Sequence, residues 1–347
     1  MNWKIPLFKM YWDEQDINEV SDVIKRGSYW STGPEIKKLE ENIAKYIGKK
    51  YALSFNSGTS ALHALLIAYG SKKDNEVIVP SFTFIATANT VALTGAKPVF
   101  AEIEDQSYGL DAQDVSGRIT KKTKAIMPVH YGGAPCRDTK ELHKIAVEND
   151  LLFIEDAAES LGSKMNNKMV GSFGDAAMFS FCQNKIITAG EGGIIVTDDK
   201  KIFEKLKLLR SHGRLEDKKG YFSTTDELDY VQFGYNSRMS SMSAALANSQ
   251  FKKIDKIIKT RREKAKYYTE QLSMIHSIKL PIEPKNIHHI YQMYTIQLKD
   301  NKQRDQLKNH LSKAGIMTKV YFEPIHLKTV YRKEFGCKKG ELVQSIL

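Results

Sequence analysis

Lys185 is the residue whose setting points most directly to chemistry. It lies in Phe179-Ser180-Phe181-Cys182-Gln183-Asn184-Lys185, between two apolar runs, and Gly190-Glu191-Gly192-Gly193 follows. Most lysines are solvated surface residues. In apolar, glycine-rich surroundings, however, loss of water disfavours the ammonium form and leaves a nucleophilic amine. Upstream, Phe153-Ile154-Glu155-Asp156-Ala157-Ala158-Glu159 ends an apolar run in carboxylates. In open α/β sheets ligands bind beyond the carboxyl ends of strands. A carboxylate placed there can hold a metal, a ribose or a protonated ring nitrogen; a solvated strand end with a helix cap is the plain structural alternative. A third segment, Asn56-Ser57-Gly58-Thr59-Ser60, joins an apolar run to a helical pattern. Unbonded amides and the helix dipole favour an anion at such a junction. A glycine turn with a Ser/Thr cap is the alternative, and no lysine follows Gly58 as it would in a Walker loop. A phosphate cradle, an acidic strand end and a sheltered lysine are together the parts a pyridoxal phosphate site needs.

Such a set needs a scaffold of alternating strands and helices. Short β-branched runs are read as strands at Tyr51–Phe55, Glu76–Pro80, Lys97–Ile103, Lys124–Val129, Leu151–Glu155, Ala176–Phe181 and Gly193–Thr197. Helical patterns fall at Ser60–Tyr69, Phe84–Leu93, Thr139–Asn149 and Lys201–Ser211. The strands lack polar alternation, so both faces are covered, which predicts α/β architecture with a mostly parallel sheet. A long helix is expected over Ser241–Leu272, a strand over Tyr291–Leu298 and a helix over Arg304–Ala314. The expected organisation is a large domain over 1–240, with an N-terminal arm, and a smaller α+β domain over 241–347.

The 347 residues carry a formal net charge of +11. Residues 251–347 hold 21 basic and 9 acidic side chains, so the excess lies in the final segment. Without aromatic interleaving or a base-reading motif, this does not indicate nucleic acid. The three cysteines, Cys136, Cys182 and Cys337, have neither metal-ligand nor disulfide spacing, a reduced, cytoplasmic pattern with no metal. The uncharged stretch from Val77 to Ala96 contains Pro80, Asn89 and Gly95 and is a poor membrane span.

Beyond these pieces, the sequence resembles the sugar-nucleotide aminotransferases of the DegT/DnrJ type, in the aspartate aminotransferase fold class. The resemblance rests on NSGTSALHALL, VIVPSFTFIATAN, GAKPVF, IMPVHYGG, IEDAAESLGS, VGSFGDAAMFSF, NKIITAGEGGIIVTDD and GYNSRMSSMSAA. EDAAESLG and NKIITAGEGG look most like the perosamine-synthase branch. The resemblance implies pyridoxal 5'-phosphate as cofactor, with Lys185 forming the Schiff base and Asp156 pairing with the pyridinium nitrogen. Glu159 falls near the phenolic oxygen, Gly58, Thr59 and Ser180 at the phosphate, and Phe84 on the ring face. Asn236 and Arg238 match a loop reaching the phosphate of a neighbouring subunit, which implies a homodimer with shared sites. His130, His326 and Tyr321 match positions on the sugar side; structural histidines and core packing are the alternatives. The implied reaction moves an amino group from glutamate to a nucleotide-linked 4-keto-6-deoxy sugar.

Some positions depart from the pattern. Cys182 and Phe322 stand where aromatic or histidine and tyrosine residues are common. The resemblance also implies a further strand and helix beyond Leu347. Two other readings are a sugar dehydratase of the same fold, disfavoured because such relatives carry histidine at the lysine, and a regulatory or nucleic-acid-binding protein, motivated by the basic segment.

Overall fold

The computed structural model describes residues 3–215, 225 and 227–342. The N-terminal part is helical, with α1 (Glu14–Arg26) and α2 (Pro34–Ile47). There follow β1 (Tyr51–Phe55), α3 (Gly58–Ala68), β2 (Glu76–Pro80), α4 (Ala86–Leu93), β3 (Lys97–Ala101), α5 (Ala112–Gly117), β4 (Thr123–Ile126), α6 (Thr139–Glu148) and β5 (Leu152–Asp156). The short strands β6 (Lys164–Met165) and β7 (Lys168–Met169) lead to β8 (Ala176–Ser180), β9 (Gly193–Thr197) and α7 (Lys200–Arg210). The remainder holds α8 (Ser241–Phe251), α9 (Ile254–Leu272), β10 (Ile278–Lys279), β11 (Ile287–His288), β12 (Gln297–Leu298), α10 (Asn301–Lys313) and α11 (Thr329–Phe335).

The architecture is α/β. The expected strands form one seven-stranded sheet in the order β1-β9-β8-β5-β4-β2-β3. Pairs from β8 to β3 are parallel, and β9 alone runs against both neighbours. Every residue of β9 is buried, as are four of the five residues in each of β1, β2 and β5. One apolar cluster, including Leu62, Leu65, Val79 and Ile195, packs α3, α4 and α7 on one face. Another, including Leu39, Ile43, Phe179, Phe181 and Ile257, packs α2, α8 and α9 on the other. The two layers explain the missing alternation: neither face of these strands meets water.

Two expectations are corrected. The predicted helix over Ser241–Leu272 breaks at Lys252 and Lys253. Lys253 turns inward, where its amine donates to Asp16 at 2.8 Å and Asp13 at 2.6 Å. Such buried ion pairing fixes the side chain's direction, and the chain kinks to meet it. The predicted strand over Tyr291–Leu298 shrinks to Gln297–Leu298 paired with Ile278–Lys279. The backbone of the rest is committed elsewhere: Met293 N donates to Gly132 O at 3.1 Å, and Arg261 caps the carbonyls of Tyr291 and Gln292. Composition could not show that competition. No residue of α10 is buried, so the positive charge it carries lies on a solvated face. Among the described residues no helix is long and apolar enough to cross a membrane, and no group of three or more His, Cys, Asp or Glu side chains is placed to hold a metal.

Candidate active site

The site is built at the carboxyl ends of β1, β2, β5 and β8. Side chains alternate along a strand, so Glu155 and Asp156 at the end of β5 point to opposite faces. Asp156 is 4% exposed. Its Oδ2 accepts from the Thr87 hydroxyl at 2.8 Å and its Oδ1 from Ala158 N at 3.2 Å. Burial raises its pKa above the ordinary carboxylate value; the Thr87 and Ala158 hydrogen bonds and the Lys185 charge oppose that rise. A buried carboxylate with so few donors is one that a cationic partner would stabilise strongly.

Two residues past Asp156 the chain turns and presents Glu159. Its Oε1 accepts from Lys185 Nζ at 3.2 Å and its Oε2 from Gly132 N at 2.9 Å. The Lys185 side chain is 14% exposed. Its loop leaves β8 and returns as β9, and Gln292 closes it from outside by donating to Asn184 O. The amine therefore sits at the inner end of a short loop, sheltered from solvent and paired with Glu159.

The anion corner lies at the amino end of α3. Ser57 caps the helix, its hydroxyl accepting from Ser60 N at 3.1 Å, and the Gly58 and Thr59 amides precede that bond. A Cβ added at Gly58 would stand 3.1 Å from Met178 Sδ and 3.4 Å from Ser180 Cβ, so the helix start and the last residue of β8 share one corner. Close approach of this kind is what glycine permits. On the other side of the turn, Asn56 N donates to Ser237 O at 2.9 Å. The segment carrying Asn236 and Arg238 thus flanks the same turn within its own chain, with the Asn236 side chain exposed.

Phe84, 60% exposed, follows β2 and faces Phe322 at 6.3 Å between ring centroids. Phe322 also meets Tyr321, Phe82 and Tyr131, which makes an aromatic wall. The Tyr321 carbonyl accepts from the Tyr131 hydroxyl. Burial raises the Tyr321 pKa, and the Glu159 charge adds to the rise.

Two expected sugar-side residues are not on an open wall. His130 is fully buried; its Nε2 lies 2.9 Å from Glu155 Oε2 and its Nδ1 accepts from Cys136 N at 3.0 Å. Both ring nitrogens are used inside the protein, and none is left for a substrate. His326 is enclosed as well: its Nδ1 is 2.5 Å from the Ser81 hydroxyl and its ring packs near Phe100. The structure also brings in residues the motifs alone did not single out. Thr87, the Gly132 amide and Gln292 touch Asp156, Glu159 and the lysine loop. Thr87 sits three positions beyond Phe84, one helical turn away, which was the available signal.

The donor set suits pyridoxal phosphate: amides and a hydroxyl at one corner, a buried carboxylate awaiting a cation, and a lysine amine paired with Glu159. Comparison with known proteins identifies the family. The sequence profile of the DegT/DnrJ/EryC1/StrS aminotransferase family matches residues 11–346. A GDP-perosamine synthase of Escherichia coli O157:H7 is 35% identical, over 93% of this chain and 85% of its own length. A UDP-4-amino-4-deoxy-L-arabinose–oxoglutarate aminotransferase of Shewanella sediminis is 32% identical, over 99% and 89%. The solved Helicobacter pylori PseC, an aminotransferase involved in the biosynthesis of pseudoaminic acid, superposes with a TM-score of 0.90 at 30% identity, covering 96% of this chain and 89% of that one. The chain belongs to the DegT/DnrJ/EryC1/StrS aminotransferase family and is an enzyme, a sugar aminotransferase.

Proposed function

We propose that this enzyme uses pyridoxal 5'-phosphate to carry an amino group from glutamate to C4 of a nucleotide-linked 4-keto-6-deoxy sugar. The observation that carries the reading is the convergence of Lys185, Glu159 and Asp156 beside the anion corner of Gly58, Thr59 and Ser180. When bound, the cofactor supplies an aldehyde that captures amines and a ring that accepts electrons. Lys185 would anchor it, and its amine, freed from that bond, would be placed to move a proton at the donor's α-carbon. Asp156 would hold a proton on the ring nitrogen, and Thr87 fixes the direction of that carboxylate. Glu159, aimed by the Gly132 amide, orients the lysine end of the site. Phe84 and the neighbouring aromatic rings would cover the cofactor ring and hold its plane.

The names of the relatives support a keto sugar joined to a nucleotide, and one of them names oxoglutarate, the keto acid that glutamate leaves behind. Lys319, held over the Tyr321 ring at 5.1 Å, adds a cation near the site for the diphosphate. The reading includes a homodimer with shared sites: Phe233 is wholly exposed and Tyr235 half exposed, on the segment that leads to Asn236. It also retains the division into a cofactor domain over 1–240 and a smaller domain over 241–347.

The test is a panel of GDP-, UDP- and dTDP-linked 4-keto sugars, each incubated with glutamate. Formation of one amino sugar with an equal amount of oxoglutarate is expected. Loss of water from the sugar without any need for glutamate would contradict it and identify a dehydratase.

A further inference from the structure

Glu155 and His130 are buried polar residues that no step above uses. Glu155 collects four donors: His130 Nε2 at 2.9 Å and the amides of Gly171, Phe173 and Gly174, each at 2.8 Å. Burial alone would raise its pKa, but these hydrogen bonds and the His130 ring outweigh it and hold the carboxyl below its ordinary value. The glycine-rich Gly171–Asp175 segment is thus the nest of a buried carboxylate. His130 is equally committed. Because its Nδ1 accepts from Cys136 N, the ring proton lies on Nε2 and goes to Glu155. Its own N–H donates to Asp156 O at 3.0 Å, and its carbonyl accepts from the Ser160 hydroxyl at 2.7 Å. One histidine therefore ties the backbone of Asp156, the turn after it and the loop 130–136 to one another.

That loop begins with a 3-10 turn over Tyr131–Gly133, in which Gly132 has φ of 64°. The turn delivers the Gly132 amide to Glu159 Oε2, while Glu159 Oε1 meets the Lys185 amine. We propose that His130 and Glu155 are positioning residues: their buried contact sets the 130–133 turn, and the turn sets Glu159 against Lys185. The inference rests on the cofactor reading above. Neither residue touches a reacting atom, so their effect passes through Asp156 and Glu159.

Four variants of the full-length holoenzyme test it: His130→Phe, His130→Gln, His130→Asn and Glu155→Gln. The readouts are kcat and KM, the circular dichroism of the bound cofactor's visible band, and the melting temperature. His130→Phe fills the same space without hydrogen bonds. It should lower kcat by roughly ten- to a hundredfold, the scale on which displacements of about an ångström are felt, with KM little changed and the dichroic band altered. Glu155→Gln should alter both in the same direction. His130→Gln keeps a donor at the Nε2 position and should recover most of kcat. His130→Asn keeps an acceptor for Cys136 N but falls short of Glu155, and should not. A folded, loaded His130→Phe with unaltered kcat and band would overturn the proposal. If that variant does not fold, the Gln and Asn variants decide: recovery by Gln alone supports it, and equal behaviour overturns it. Wild-type protein that takes up no cofactor would contradict the cofactor reading itself. A normal wild-type band with unchanged variants would contradict only the positioning role.

Discussion

Lys185 Nζ and Glu159 Oε1 lie 3.2 Å apart, and the other oxygen of the same carboxylate is held by Gly132 N. The amine is therefore aimed by an acid whose own direction is fixed by backbone. Three segments distant in sequence meet in that relationship, and each arrives from the carboxyl end of a sheet strand.

Asp156 should be the most sensitive carboxylate. Asp156→Asn removes the charge that holds a ring proton, and kcat is expected to fall by on the order of a hundredfold or more, as when one preorganised electrostatic group is lost. Thr87→Val removes a single hydrogen bond to that carboxylate and should cost roughly 1.5–3 kcal/mol of its stabilisation. Steady-state kinetics on both variants checks this; an activity loss in Thr87→Val larger than in Asp156→Asn would contradict the assigned order.

Gly193 tests the anion corner. A Cβ there would lie 2.6 Å from Ser57 O and 2.7 Å from Gly58 Cα, well inside van der Waals contact. Gly193→Ala should push the start of α3 outward and weaken cofactor binding while the sheet survives. Fluorescence titration with pyridoxal phosphate reads the dissociation constant, and an unchanged value would contradict the placement of the phosphate at this turn.

The pairing of Lys253 with Asp16 predicts a pH-dependent part of the stability. Asp16 lies below its ordinary pKa: burial acts upward, and the hydrogen bonds from Lys253 and Asp13 N, with the Lys253 charge, act against it. A lowered folded-state pKa means the contribution is complete above the unfolded value of about 3.9 and is lost as pH falls through the folded one. Lys253→Met leaves Asp16 buried without its cation and should cost about 3–5 kcal/mol at neutral pH. Calorimetry at pH 7 and pH 3 measures it; an equal penalty at both would show that packing, and not charge, is responsible.

All seven main strands were legible because each is a short apolar run between turn residues, and burial on both faces removes any competing pattern. Asp156 stood out because it ends an apolar strand in a charge, Glu159 because it follows in the same carboxylate-rich turn, and Lys185 because it is the one lysine in the loop between two apolar strands. The break at Lys252–Lys253 was not, because the inward turn of Lys253 depends on Asp13 and Asp16 more than two hundred residues earlier. His130 misled in the same way. The resemblance set it on the sugar side, with a structural histidine as the alternative, and only the contacts of Glu155, Cys136 and the Gly171–Gly174 amides show where its ring is used. The helix α1, with its Asp13 capping box, was visible in principle but lay outside the segments read for chemistry.

The most direct test of the central claim is mass spectrometry of the protein after incubation with pyridoxal phosphate and reduction with borohydride. One covalent pyridoxyl phosphate adduct is expected, on the peptide containing Lys185, absent from Lys185→Ala along with the visible band. An adduct on a different lysine, or a band that survives reduction in Lys185→Ala, would contradict it.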